Sequence, residues 1–287
     1  MTIWLFTCRH THEDRLVQEL ARLGYADAHA HATVAGLVLA NGLPAASEAT
    51  LREMDPVWAL QVLPDVRRVE AKSIKATAVE VASCLAGPID QIDGAWLLHI
   101  LAPGQLRGQP RPKLAGRAEL LFTAIGKELQ RTRRRAWRRV NPQTETTPQL
   151  VAQVLLIDVN HAWLSIAAPL QLATGTCWPS PIAAGLAPVA DDPAAPSSAF
   201  RKLEEALACM GETPKSGQLA VDLGACPGGW TRVMSRYGAE VVAIDRSPLA
   251  DSLMKADGIH WLGTDAFTYR PDAPVDWLVS DVIAFPE

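Results

Sequence analysis

The stretch Val221-Asp-Leu-Gly-Ala-Cys-Pro-Gly-Gly-Trp-Thr231 decides the fold of this chain. With Gln218-Leu219-Ala220 before it, it reads as a short buried strand, a glycine turn and the start of a helix. Asp222 stands near the strand end, Gly224 allows a sharp exit, and Gly228-Gly229 let a ligand approach bare backbone. The helix is predicted over Trp230 to Tyr237, with Gly238 as a good terminating residue. Its first amides point into the turn and suit a small anionic group. The dinucleotide pattern G-x-G-x-x-G is not met, because the glycines fall at 224, 228 and 229. The missing inner glycine argues against a pyrophosphate and for a smaller ligand.

Working outward from the turn, the same rhythm repeats. Glu240 to Ile244 is a predicted strand ending in Asp245, and Ser247-Pro248 opens a helix through Leu253-Met254. Ile259 to Leu262 is a third strand with Asp265 just after it, and Val275 to Ser280 a fourth that ends in Asp281. Upstream, Ser197-Ser198 offers an N-cap to a helix over Ala199 to Met210, closed by Gly211. This alternation predicts a parallel, doubly wound sheet, with every one of these acids at a strand's C-terminal edge, where such sheets bind ligands.

The acids then take roles. Asp245 lies about twenty residues past Gly224, where a nucleoside-binding fold places a carboxylate on the ribose hydroxyls. Asp265 can accept a hydrogen bond from an adenine amino group, with Phe267 packing beside the purine. Lys202 falls in the first turn of its helix, where the positive end of the dipole disfavours a cation. A lysine so placed can take or position the proton of a weakly acidic hydroxyl, with Asp281 orienting both groups. The plain alternative for Lys202 is a surface lysine paired with Glu204 or Glu205 along the helix.

The chain has 287 residues, enough for two domains with real cores. No signal peptide is visible, and the apolar run Leu150 to Leu172 is broken by Asp158, Asn160 and His161, so it is expected to form sheet strands. The five cysteines form no C-x-x-C pair and are odd in number, which fits a reducing cytoplasm and argues against zinc. The pairs His10/His12 and His29/His31 lack any supporting acid or cysteine cluster, so no metal is expected. A net charge of −4 hides an asymmetry: residues 107–139 hold eleven Lys/Arg, Arg107, Arg111 and Lys113 among them, and two acids. Arg131, Arg133, Arg134, Arg135, Arg138 and Arg139 crowd the end of a helix predicted over Ala115 to Arg139, with Trp137 among them. That is more than helix capping requires. Arginine forks bind phosphate and a tryptophan can stack on a base, so the tract is read as an RNA-binding surface.

Earlier elements are predicted as a strand at Thr2 to Cys8, a helix at Glu13 to Leu23 and a strand at Val34 to Leu39 closed by Asn41-Gly42. A helix or turn follows at Ser47 to Met54, and Val57 to Leu63 and Arg67 to Glu70 are expected to pair. The chemistry of this first unit is not readable from its residues. Next come a helix at Thr77 to Leu85 and strands at Trp96 to Ala102, Leu150 to Asp158 and Ala162 to Ala168. Five prolines between Pro179 and Pro196 mark a linker and place the domain boundary near residue 195.

The strand-end acid followed by G-A-C-P-G-G-W resembles the S-adenosylmethionine loop of Rossmann-fold methyltransferases, the FtsJ-like RNA ribose methyltransferases in particular. Pro196-Ser-Ser-Ala-Phe-Arg-Lys-Leu-Glu-Glu-Ala206, the 221–231 stretch, Asp245, Asp265 and Ser280-Asp281-Val282 together resemble the RlmM family, which methylates the ribose 2′-oxygen of a cytidine in large-subunit (23S) ribosomal RNA. The resemblance is dense over 196–287 and faint over 1–178. It implies an α/β chain: a ferredoxin-like unit (1–75), a THUMP RNA-binding domain (76–178), a proline-rich linker (179–195) and a partial Rossmann-like methyltransferase domain (196–287). It implies cofactor contacts from Cys226, Pro227, Gly228, Gly229, Asp245, Asp265 and Asp281, and places Lys202 and Asp281 in a Lys-Asp-Lys-Glu catalytic tetrad. The second lysine and the glutamate of that tetrad would fall beyond Glu287, so the chain is expected to be a C-terminally incomplete enzyme that does not turn over alone. The family's cofactor-holding serine corresponds here to Ala199, with Ser198 beside it. Two other readings stay open: a non-catalytic RNA-binding protein with a vestigial half-Rossmann unit, and a THUMP-type RNA base methyltransferase. The latter commonly uses N/D-P-P-Y or a cysteine nucleophile, neither of which appears in Ser280-Asp-Val-Ile283.

Overall fold

A computed structural model describes residues 2–44, 47–102, 114–141, 148–173, 175–187 and 189–282. Arg107, Arg111 and Lys113 lie outside the described residues. The chain separates into two compact units, Met1–Leu186 and Ala187–Glu287.

The first unit holds two four-stranded sheets. In chain order it runs β1 (Thr2–Thr7), α1 (Glu13–Arg22), β2 (Ala28–Ala30), β3 (Leu37–Leu43), α2 (Glu48–Glu53), β4 (Gln61–Leu63) and β5 (Arg67–Glu70). It continues with α3 (Ile74–Asp90), β6 (Trp96–Leu101), α4 (Ala115–Thr132), α5 (Arg134–Trp137), β7 (Leu150–Leu156), β8 (His161–Ala167), β9 (Leu170–Gln171) and β10 (Cys177–Trp178). The first sheet has the order β2-β3-β1-β4 and the second β5-β8-β7-β6; β9 and β10 form a small ribbon. Helix α1 buries Leu16 and Leu20, one turn apart, and carries Glu13 and Asp14 in its first turn, where the dipole favours anions. Strand β7 is buried at all seven positions, as expected for a central strand covered on both faces.

Three expectations for this unit change. Asn41-Gly42 does not close a strand: β3 runs through it, and Gly42, at φ 75°, sits beside a register shift opposite Thr2/Ile3. The glycine serves a bulge, not a turn. Gln61–Leu63 and Arg67–Glu70 do not pair with each other. The first joins β1, and the second crosses to β8 in the other sheet. The long basic helix breaks at Arg133 (φ −141°, ψ 50°). The break lets Trp137 fold back, with ring centroids 6.4 Å from Trp96 and 5.8 Å from Phe122.

The second unit runs α6 (Phe200–Met210), β11 (Leu219–Leu223), α7 (Gly229–Arg236), β12 (Glu240–Ile244), α8 (Asp251–Met254), β13 (Ile259–Leu262) and β14 (Trp277–Ser280). Its sheet is parallel throughout, in the order β13-β12-β11-β14. Phe200, Leu203 and Leu207 of α6 pack with Val233 and Met234 of α7 over Ala220, Val241 and Val279 of the sheet. The expected serine cap of α6 is absent. Its N-cap is Ala199, with no side-chain hydrogen bond, while Ser197 Oγ is buried without a partner. Gly211 closes the helix at φ 70°, as its sequence predicts.

Candidate active site

The second unit's sheet brings its strand ends to one edge, and the turn after β11 is built by atoms from three neighbouring elements. Gly224 leaves β11 at φ 77°, and a Cβ there would lie 2.7 Å from Val282 Cγ2, just past β14. Gly228 adopts φ 110°, and its Cβ would meet Leu253 Cδ1 at 2.3 Å. Next to it, a Cβ on Gly229 would lie 2.6 Å from Ser197 Oγ. The space these two glycines leave bare is thus bordered by the protein's own side chains. Cys226 and Pro227 join through a cis peptide bond, and Pro227 O accepts the N–H of Ala250 at 3.0 Å.

Asp245 ties the turn to the next strand. One carboxylate oxygen accepts the Cys226 N–H at 3.0 Å and the other the Ser247 N–H at 2.8 Å. Burial, and then the nearby Asp245 charge, push the Cys226 thiol above its ordinary range. Asp265 is equally engaged, by the Phe267 N–H at 3.0 Å and by Arg246 Nη2 at 2.5 Å. Those two donors, the backbone one first, hold its carboxyl below the usual carboxylate range. Phe267 itself stands exposed. Arg246 is a residue that sequence reasoning did not single out; its position directly after Asp245 was the available signal.

Lys202 and Asp281, 79 residues apart in sequence, meet: Lys202 Nζ donates to both carboxylate oxygens of Asp281 at 2.8 Å. The helix-borne alternative for Lys202 does not form at Glu204, whose carboxylate binds Arg236 and accepts the Tyr237 hydroxyl at 3.1 Å. Asp281 therefore supplies the negative charge that the positive end of α6 lacks. Asp281 precedes Val282, whose atoms occupy the space a Gly224 side chain would need, so the ion pair stands next to the glycine turn.

Asp222 is the functional candidate that sequence reasoning named but did not place in the site. It is 1% exposed, and its Oδ2 accepts the hydroxyl proton of Thr231, 0% exposed, at 2.7 Å. Thr231 is the third residue of α7, whose N-cap, Gly228, has no side chain to offer. Asp222 thus caps α7 from the neighbouring strand, taking the place of a cap side chain at the helix's own start. Burial raises its carboxyl to about 6, against the lowering effect of Thr231, and the Asp281 and Asp245 charges add to the rise.

The basic tract divides in two. Arg131 pairs with Glu128 at 2.6 Å, Arg133 with Asp90 at 2.7 Å, and Arg139 donates to the Ile92 and Ile89 carbonyls at the end of α3. Arg134, Arg135 and Arg138 are exposed and pair with no carboxylate among the described residues. Trp137 is not a free stacking platform: it packs against Gly126, Trp96 and Phe122.

This parallel sheet, with its glycine turn and its acids at strand ends, defines a Rossmann-like methyltransferase domain, and residues 196–286 match the family of FtsJ-like methyltransferases. Relatives that carry the name ribosomal RNA large subunit methyltransferase M include the following three. The one from Thauera aminoaromatica is 41% identical over 142 residues, 47% of this chain and 37% of that protein. The one from Halorhodospira halophila is 36% identical over 211 residues, 64% of this chain and 58% of that protein. The one from Xanthomonas oryzae pv. oryzae is 28% identical across 97% of this chain and 78% of that protein. The chain is similar to the RlmM family over these lengths, and to FtsJ-like methyltransferases over residues 196–286. It spans less than two thirds of the length of the first two of these relatives.

S-adenosylmethionine is the methyl donor this class uses. The residues present fit it: the donor set offers backbone amides at the start of α7, the strand-end carboxylates of Asp245 and Asp281 for polar and cationic groups, and a buried unpartnered Ser197 hydroxyl beside Gly229.

Proposed function

We propose that this chain contributes the cofactor site and the Lys202–Asp281 pair to S-adenosylmethionine-dependent methyl transfer to the ribose 2′-hydroxyl of a cytidine in large-subunit ribosomal RNA. The observation that carries the reading is the Lys202–Asp281 pair at 2.8 Å beside the glycine turn. Cys226 to Gly229, Asp245, Asp265 and Asp281 would hold the cofactor, which when bound supplies an electrophilic methyl group. Asp245 and Asp265 keep the two loops that would border its adenosine in place. A ribose hydroxyl is a weak acid and must lose its proton in or near the transition state. Asp281 is placed to accept a hydrogen bond from that hydroxyl, and the Lys202 ammonium to steady the oxygen as negative charge develops. The pair favours ribose over methylation at a pyrimidine carbon, which needs a ring nucleophile that neither group supplies, while the N/D-P-P-Y type of site for a base nitrogen is not present in Ser280-Asp-Val-Ile283.

Residues 1–178 we read as the ferredoxin-like and THUMP parts that deliver RNA, with Arg134, Arg135 and Arg138 as phosphate contacts. The two α/β sheets of the first unit support that assignment. A cytoplasmic location is consistent with five free cysteines, and no helix among the described residues is long and apolar enough to cross a membrane.

The test supplies radiolabelled S-adenosylmethionine and unmodified large-subunit ribosomal RNA, then digests the RNA to nucleosides. Label in 2′-O-methylcytidine is the expected result; label on a base would sink the reading. In a preparation that transfers methyl, Lys202→Ala should slow transfer by about 100-fold or more, while binding of S-adenosylhomocysteine changes little.

A further inference from the structure

The first 75 residues offer no chemistry as a sequence, yet the fold exposes a built feature there. Trp58 is 36% exposed and the adjacent Val57 84% exposed. The tip they form is held by Glu19 of α1, whose two oxygens accept the N–H groups of Val57 and Trp58 at 2.9 and 3.1 Å. His12 stacks on the indole with centroids 5.2 Å apart, and the Arg15 guanidinium lies over it at 4.9 Å. Arg15, Gln18, Glu19, Arg22 and Trp58 line an open depression of about 260 Å³. A large aromatic fixed at the surface in this way is not needed by the core.

Charge selects the occupant. Glu19 is consumed by two backbone donors, and Glu13 by the Gly36 N–H and His10. Arg15 and Arg22 are exposed and pair with no carboxylate among the described residues. They stand seven residues apart on α1, so they share one face about two turns apart. The depression keeps a net positive charge, two arginines against Glu19, and an aromatic wall between two arginines matches a base flanked by phosphates. The exposed cation–π contact of Arg15 is weaker than base-on-indole stacking, so a base can displace it and free the guanidinium for a phosphate.

We propose that this depression is a second RNA contact, in which an unpaired base stacks on Trp58 and flanking phosphates meet Arg15 and Arg22. The proposal rests on the reading of the chain as an RNA-modifying protein and adds a site separate from the arginines of α5. It is tested by titrating the full chain against a labelled, unstructured oligoribonucleotide at several salt concentrations. Trp58→Ala should weaken binding about 5-fold or more, with Trp58→Phe retaining most of the affinity because a ring remains. Arg15→Gln/Arg22→Gln should flatten the slope of log affinity against log salt by about 1.4. Wild-type affinity in a folded Trp58→Ala variant overturns the proposal, as does equal loss in Trp58→Phe. If Arg134→Ala/Arg135→Ala/Arg138→Ala alone abolishes binding, this site fails while the RNA reading stands; if the wild type binds no RNA, both fail.

Discussion

Replacing Asp222 by asparagine should remove a pH-dependent part of the second unit's stability. The native carboxyl is raised from 3.8 to about 6, chiefly by burial. A carboxyl raised on folding contributes stability that is complete below its unfolded value and is lost as pH rises through its folded value. At pH 5, about one pH unit below the folded value and above the unfolded one, the native state holds a proton that the unfolded chain has released. That proton is worth about 1.4 kcal/mol, and by pH 7.5 the contribution has vanished. Other carboxyls, Asp192 and Asp265 among them, are lowered and lose stability toward acid, so the wild-type curve alone does not isolate Asp222. The difference between wild type and Asp222→Asn does. Urea unfolding followed by hydrogen exchange in peptides from β11 and α7 should show the wild type gaining about 1.4 kcal/mol on the variant between pH 7.5 and pH 5. The asparagine keeps an acceptor for the Thr231 hydroxyl, so α7 retains its cap in part. Parallel curves for the two proteins would refute both the burial of an ionising carboxyl here and its role in fixing the glycine turn.

Three further outcomes follow from the geometry. Arg134→Ala/Arg135→Ala/Arg138→Ala should lower the slope of RNA affinity against salt by about 2. Arg131→Ala/Arg133→Ala/Arg139→Ala should change that slope less and instead lower the melting temperature, since Arg133 and Arg139 tie the break after α4 to the end of α3. Gly228→Ala should cost more than Gly258→Ala by about 1–3 kcal/mol in urea titrations. Both glycines have positive φ, but only Gly228 has a neighbour, Leu253, within reach of an added methyl group. Equal costs would remove Leu253 as the packing partner of the turn.

The parallel sheet was legible because its signals are local. Each strand is a short apolar run, each exit is marked by a glycine or an aspartate, and a parallel arrangement follows from the intervening helices. The first unit was less so, because its pairings are not between sequence neighbours. Nothing in Gln61–Leu63 or Arg67–Glu70 says that the chain changes sheets between them, and an Asn-Gly pair carries the same signal for a hairpin and for a bulge. The helix through Arg133 was overread for a different reason. Arginine is a good helix former, so propensity continues the helix, while packing of Trp137 on Trp96 and Phe122 ends it.

The site shows the same division between local and distant causes. That Cys226 to Gly229 form a turn, and that Asp245 and Asp265 follow strands, can be read from spacing. Which partner each polar group takes cannot. Lys202 has Glu205 three residues on along its own helix, a spacing that offers a pair, and Glu204 two residues on, which does not face it. Arg236 and Tyr237, arriving from the end of α7, occupy Glu204, and Asp281, carried in by β14, meets the ammonium with both oxygens. Asp222 makes the point in reverse: as a strand-end acid it resembles Asp245, yet its partner is Thr231 inside the protein and not a ligand. Asp245 is only half-buried, and its oxygens keep lone pairs beyond the Cys226 and Ser247 N–H groups they accept. A carboxylate that is 1% exposed and already capping a helix shapes the site from behind. The burial that separates these two roles is set by the packing of α7 on the sheet, which no single stretch of the sequence encodes.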